Sequence, residues 1–82
     1  MIKRPYMLWD TDTENRIGAY ETEAAALAVV RNAAQRNGPD RVRTFSLYVA
    51  DANDEFEYVA HGAALLRRAQ QAAANSSYAA SV

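Results

Sequence analysis

The sequence has no cysteine, one histidine, one lysine, three glycines and two prolines among its 82 residues. Without cysteine there is neither a disulfide framework nor a thiolate metal site, and a cytoplasmic setting is the expectation. One histidine leaves hydrolytic triads and most zinc sites short of an oriented base or of nitrogen ligands. The glycines, Gly18, Gly38 and Gly62, are scattered, so there is no glycine-rich phosphate loop. No apolar run approaches the ~20 residues of a membrane span, and the start of the chain lacks the basic, apolar and small-residue succession of a signal peptide. Large apolar side chains are scarce too: Leu, Ile, Val and Phe together number 15, against 18 alanines.

What is present still describes a folded chain. The formal net charge is −1 and there are eight aromatic residues (one Trp, five Tyr, two Phe), whereas disorder goes with high net charge and few aromatics. A chain of this size holds one domain with one small core, which excludes a multi-domain enzyme. Eight arginines against one lysine, beside the alanine excess, have the look of coding bias in a GC-rich genome.

Hydrophobic spacing divides the chain into two hairpin-plus-helix units. Tyr6, Met7, Leu8 and Trp9 form a short aromatic and apolar run after Pro5, which reads as a strand. Residues 10–15 are turn-forming, and residues 16–20 return as a second strand with Ile17 and Ala19 on one side and Gly18 and Tyr20 on the other. Thr22 is a good N-cap and Glu23 suits the positive end of a helix dipole. The helix predicted from there to Asn37 has a stripe of Ala26, Leu27, Val30, Ala33 and Ala34, with Arg31, Asn32 and Gln35 facing water. Gly38 and Pro39 end it. Residues 42–50 alternate as a third strand, with Phe45, Leu47 and Val49 on one face and Thr44, Ser46 and Tyr48 on the other.

After a turn at 51–54, residues 56–60 return as a fourth strand, and Gly62 opens a second helix striped by Leu65, Leu66, Ala69, Ala72 and Ala73. The expected fold is α+β: a two-layer sandwich of order β-β-α-β-β-α, with a four-stranded antiparallel sheet and both helices on one face. Residues 1–74 would make the domain and residues 75–82 a flexible C-terminal tail.

Several patterns invite a chemical reading. Residues 10–21 place Asp10, Asp12, Glu14, Ile17 and Glu21 at the first, third, fifth, eighth and twelfth positions of a calcium-loop pattern. Asn15 stands where such a loop needs glycine, a proline and aromatics precede it where a helix should enter, and the second hairpin has no companion loop. The segment therefore reads as an acidic hairpin tip, and no metal is expected. His61 falls where the fourth strand meets the second helix and is read as satisfying a backbone group there. The remaining carboxylates fall in turns or at solvated strand positions, with no framework to perturb them, so neither a catalytic residue nor a cofactor is expected.

Charge is unevenly placed. Residues 10–23 carry five carboxylates and one arginine, and residues 51–57 carry four carboxylates, while Arg31, Arg36, Arg41, Arg43, Arg67 and Arg68 fall in or beside the helices. A basic helical layer is one route to phosphate recognition, with Arg41, Arg43, Arg67 and Arg68 as its candidates. The first strand is the stronger signal. It is apolar on both faces, Tyr6 and Leu8 on one and Met7 and Trp9 on the other, whereas a strand with one wet face alternates. One face packs on the helices, and the other is left with bulky groups joined by Tyr20 and Tyr48. Tyr6, Met7, Trp9, Tyr20 and Tyr48 are therefore the candidate interface residues of a homo-oligomer, expected to be a dimer formed through the sheet face or a strand edge.

The segment Gly18-Ala19-Tyr20-Glu21-Thr22-Glu23-Ala24-Ala25-Ala26-Leu27, a strand entering a threonine-capped alanine-rich helix, resembles the strand-to-helix junction of HicB-like antitoxin domains and similar small stand-alone bacterial domains. The resemblance covers about ten residues, and the chain lacks the DNA-binding extension common in that family. It implies toxin neutralisation and transcriptional autoregulation, with no catalytic residue to carry over. A non-enzymatic interaction domain is the reading drawn from the residues, and a nucleic-acid-binding or antitoxin-like regulator is its alternative.

Overall fold

The computed structural model describes residues 3–80. Four strands, β1 (Tyr6–Asp10), β2 (Asn15–Tyr20), β3 (Phe45–Ala50) and β4 (Phe56–His61), form one antiparallel sheet in the order β2-β1-β3-β4. Two helices, α1 (Glu23–Asn37) and α2 (Gly62–Ala80), complete an α+β domain of the expected element order. Each hairpin pairs sequential strands, and α1 carries the chain over β1 so that β3 lies on its far side. Both central strands thus come from the apolar first half of their hairpins, with β2 and β4 at the edges. No helix among the described residues is long and apolar enough to cross a membrane.

The core lies between the sheet and the helices. Leu8 and Leu47 stand opposite each other at its centre, both fully buried. Ala26, Leu27 and Val30 of α1 and Leu65 and Ala69 of α2 close over them, which is the stripe that a 3.6-residue period selects. Alanine makes up much of the helical side, so each helix sits close to the sheet and contributes little area of its own. Thr22 caps α1 through its hydroxyl, which accepts from the Ala25 N–H at 3.1 Å.

Two bulges adjust the edge strands. In β2 the pairing slips between Leu8/Gly18 and Trp9/Arg16, leaving Ile17 as the extra residue. In β4 it slips between Leu47/Ala60 and Tyr48/Tyr58, and the additional residue lets both Val59 and Ala60 face the core. A bulge of this kind strengthens strand twist and re-aims neighbouring side chains.

Three expectations need correction. The third strand begins at Phe45, because residues Pro39–Val42 form a 3-10 turn that buries Val42. Proline at the first position of that turn and Asp40 behind it favour a tight helical turn over an extended start. Arg31, placed above on the water-facing side of α1, is partly buried, with its Nε covered and without a hydrogen-bond partner. The reason is that α1 packs against α2 as well as against the sheet, so its contact stripe is wider than one face. Finally, α2 runs on as helix from Asn75 to Ala80, where a tail was expected. No glycine or proline interrupts it and the run of alanines before it is strongly helix-forming. The last two residues of that expected tail lie outside the described residues.

Two glycines are fixed by backbone geometry. Gly38 has φ +90° and ψ 159°, a region open essentially to glycine alone. Gly62 has φ +58°, and a Cβ there would stand 2.8 Å from the Arg43 carbonyl oxygen. Gly38→Ala should cost about 1–2 kcal/mol through backbone strain alone, since open space surrounds the position. Gly62→Ala should cost about 2–4 kcal/mol, because the chain after α1 must also move. Urea denaturation of the two variants checks the order, which fails if Gly62→Ala is the milder.

Candidate interaction face

Leu8 and Leu47 point at the helices, so the period of two turns their neighbours the other way. Met7 pairs with Tyr48 and Trp9 with Ser46 across the β1–β3 centre, and Tyr48 and Ser46 pair in turn with Tyr58 and His61 of β4. No helix covers this side. It is an apolar face whose floor is Met7, Trp9 and Tyr48, with Phe56 and Tyr58 raised along one edge at 51% and 61% exposure. The Tyr58 ring stands edge-on to Tyr48, with ring centroids 6.1 Å apart and 66° between planes. A shallow concavity of about 510 Å³ opens here, lined by Met7, Trp9, Tyr48 and Phe56 together with Asp10, Thr11 and Glu14 from the strand end and the turn after it.

The polar end of this concavity is built, whereas its centre is bare. Asp10 is 3% exposed, contrary to the expectation that every carboxylate would be solvated. Its Oδ1 accepts from the Thr44 hydroxyl at 2.8 Å and from the Asp12 N–H at 3.0 Å, and its Oδ2 accepts from Arg41 Nη1 at 3.1 Å. Thr11 adds two bonds to the Thr44 carbonyl, from its hydroxyl at 2.7 Å and from its N–H at 2.9 Å. The Thr44 hydroxyl bond, with Arg41 and the Asp12 N–H adding to it against the opposing cost of burial, holds the Asp10 carboxyl below its ordinary value. Arg41 also lies over the Phe45 ring, 5.1 Å from its centroid. One buried carboxylate thereby ties the first hairpin to the segment that enters β3.

The residues expected at an interface divide between the two faces. Met7, Trp9 and Tyr48 lie together on the uncovered side. Tyr6 and Tyr20 pair with each other on the helix side and pack against the core, which corrects their grouping with Tyr48. Tyr20 folds back along its own strand, its hydroxyl 2.6 Å from where a Gly18 Cβ would be, and burial pushes that hydroxyl's pKa up. The pairing is the reason, since Tyr20 stands opposite Tyr6 on the face of Leu8, and Gly18 opposite Leu8 leaves room there for the tyrosine ring. Phe56 and Tyr58 join this face although the expected interface set does not include them. The pairing of Tyr58 with Tyr48 is the signal that places them.

His61 does not satisfy a backbone group. Its Nδ1 lies 2.5 Å from the hydroxyl of buried Ser46, on the open face. No acidic side chain is bonded to the ring's other nitrogen among the described residues, and the serine is too deeply buried to meet a substrate, so the pair lacks the parts of a hydrolytic site. Among the described residues there is no group of three His, Asp or Glu positioned to hold a metal ion.

The candidate phosphate-binding arginines are divided as well. Arg41 is held by Asp10, and Arg68 donates through Nε to Glu23 of α1, a bond that raises the guanidinium pKa. Arg43 and Arg67 are exposed. Comparison of the chain with protein-family models, curated proteins and solved structures finds no match.

Asp10 gives the domain an acid-sensitive joint. A carboxyl whose folded pKa lies below its ordinary 3.8 adds stability that is fully present above that value and is lost as pH falls through the lower folded one. Asp10→Asn should destabilise the domain by about 1.5–3 kcal/mol at neutral pH, the range for hydrogen bonds to a charged group. It should also flatten the fall in stability between about pH 5 and pH 2. Thermal melts of the two proteins across that range test both effects, and parallel pH curves would contradict the assignment.

Proposed function

We propose that this protein is a small non-enzymatic interaction module that self-associates face to face, as a dimer, through the uncovered side of its sheet. The observation that carries this reading is the apolar face made by exposed Phe56 and Tyr58 with half-buried Met7, Trp9 and Tyr48, on a chain with few other large apolar groups. Single exposed hydrophobics need no explanation, but a contiguous aromatic patch with polar surroundings marks an interface, and tryptophan and tyrosine are its usual anchors.

Charge at the ends of the sheet favours a second copy as the occupant. On the β1–β2 half, Asp12 and Glu14 lie at one end and Lys3 and Arg4 at the other. On the β3–β4 half the order is reversed: Asp51, Asp54 and Glu55 lie beside the Lys3 and Arg4 end, while Arg43 lies beside the Asp12 and Glu14 end. The acids thus occupy one diagonal and the cations the other, with Glu21, Asp40 and Arg16, the cross-strand partner of Trp9, as exceptions. A two-fold axis in the plane of the face, at right angles to the strands, brings each acidic end of one copy over a cationic end of the other, the self-complementarity an isologous contact needs.

The alternative, a nucleic-acid-binding or antitoxin-like regulator, draws less support. Two of its four arginines are committed to carboxylates within the fold, and the two hairpin tips are acidic. A cytoplasmic, bacterial setting fits either reading.

Sedimentation equilibrium of the protein at tens of micromolar should give twice the chain mass, and Trp9→Asp should give the monomer mass with an unchanged far-UV spectrum. A wild-type monomer at that concentration would overturn the proposal.

A further inference from the structure

We infer that the concavity on the open face is a cation site, and that in the dimer it receives Lys3 and Arg4 of the second copy. The inference rests on the face-to-face reading above and adds what fills each hollow. Two facing concavities of about 510 Å³ each would leave a void at the centre of the interface unless side chains enter them, and interface cores are packed to interior density.

The chemistry of the hollow selects the kind of side chain. Trp9, Tyr48 and Phe56 line it with Met7, and the charged residues that line it, among those described, are Asp10 and Glu14. Faces of aromatic rings attract a cation, tryptophan most strongly, and the attraction grows as water is excluded. Asp10 is already committed to Thr44, Arg41 and the Asp12 amide, whereas Glu14 is exposed and has no ion pair among the described residues. The site is thus an aromatic recess with one free carboxylate and no cation among its lining residues, Arg16 standing next to it on β2 opposite Trp9.

Topology then names the occupant. Lys3 and Arg4 precede β1 and are exposed, and they lie at the opposite end of that strand from Glu14, so a chain's own pair does not line its own recess. The two-fold axis that matches the charged ends lays the Lys3 and Arg4 end of each copy over the other's 11–14 turn. The same contact is made twice, once from each copy.

The test is the dimer dissociation constant, measured by sedimentation velocity. Lys3→Ala/Arg4→Ala should raise it by about tenfold or more, the sum of two modest cation–aromatic contacts. Arg36→Ala/Arg67→Ala removes the same net charge from the exposed helical side and should leave it within about twofold, separating a local contact from overall charge. Lys3→Glu/Arg4→Glu should abolish the dimer at tens of micromolar, and adding Glu14→Lys to that variant should recover it in part. If the amino-terminal variant dimerises as tightly as wild type while Trp9→Asp is a monomer, the cation site is refuted and the face-to-face reading stands. If weakening occurs but equals that of the helical-side control, or Glu14→Lys recovers nothing, the cation site is likewise refuted. A wild-type monomer removes both.

Discussion

The pairing of β1 with β3 at the centre of the sheet is the constraint from which the rest follows. Both strands have sheet on either side, so neither has a free edge; β1 is apolar on both faces, and β3 adds Tyr48 to the second. A helix on the lower side covers only one of those faces. Once Leu8 and Leu47 are turned toward α1 and α2, the alternation of side chains leaves Met7, Trp9 and Tyr48 half-buried, with no helix over them. A one-residue slip would exchange the two sets and place Trp9 against helices built of alanine, where it has no room. Register and the uncovered face are therefore one fact seen from two sides.

Asp10 secures that register at one end. A buried carboxylate is costly unless its lone pairs are occupied, and an unpaired one would be expelled with the strand end that carries it. Here a hydroxyl, a guanidinium and an amide from separate segments converge on it. Each donor comes from a different part of the chain: the turn after β1, the 3-10 turn and the residue before β3. Such a network is satisfied only when the first hairpin and the β3 entry are aligned, which gives the pairing a direction that apolar contact alone does not supply.

Element type was legible wherever one local rule decided it. The capping threonine, the apolar stripes, Gly38 followed by Pro39 and the alternation through Phe45, Leu47 and Val49 all predicted what is found. Legibility failed where two segments distant in sequence decide the outcome. That Tyr20 joins the core follows from its pairing with Tyr6 and from the room beside Gly18. Neither shows in a period count. Asp10 looked like a hairpin tip because its three donors lie at Asp12, Arg41 and Thr44, two of them about thirty residues away. The open face was half legible: Met7, Trp9 and Tyr48 follow from alternation, whereas Phe56 and Tyr58 require knowing which residue of β4 faces Tyr48.

The alanine content takes on a physical meaning in this setting. Small domains that lack a large core rely on disulfides, metals or association to make up the deficit, and this chain has no cysteine and, among the described residues, no metal cluster. Among the described residues, its fully buried large side chains are Leu8, Leu47, Leu65, Val30 and Val42, with Phe45 the one aromatic buried beside them. The bulky aromatics Trp9, Tyr48, Phe56 and Tyr58 stand on the other side of the sheet, where a lone chain leaves the first two half-buried and the last two exposed. Exchanging helix alanines for leucine would enlarge the core, yet it would lift the helices off the sheet and leave the aromatic face as it is. Covering that face from outside adds buried area without disturbing the close helix packing. The proposed second copy is thus the arrangement in which the thin helical layer and the aromatic sheet face have one common explanation.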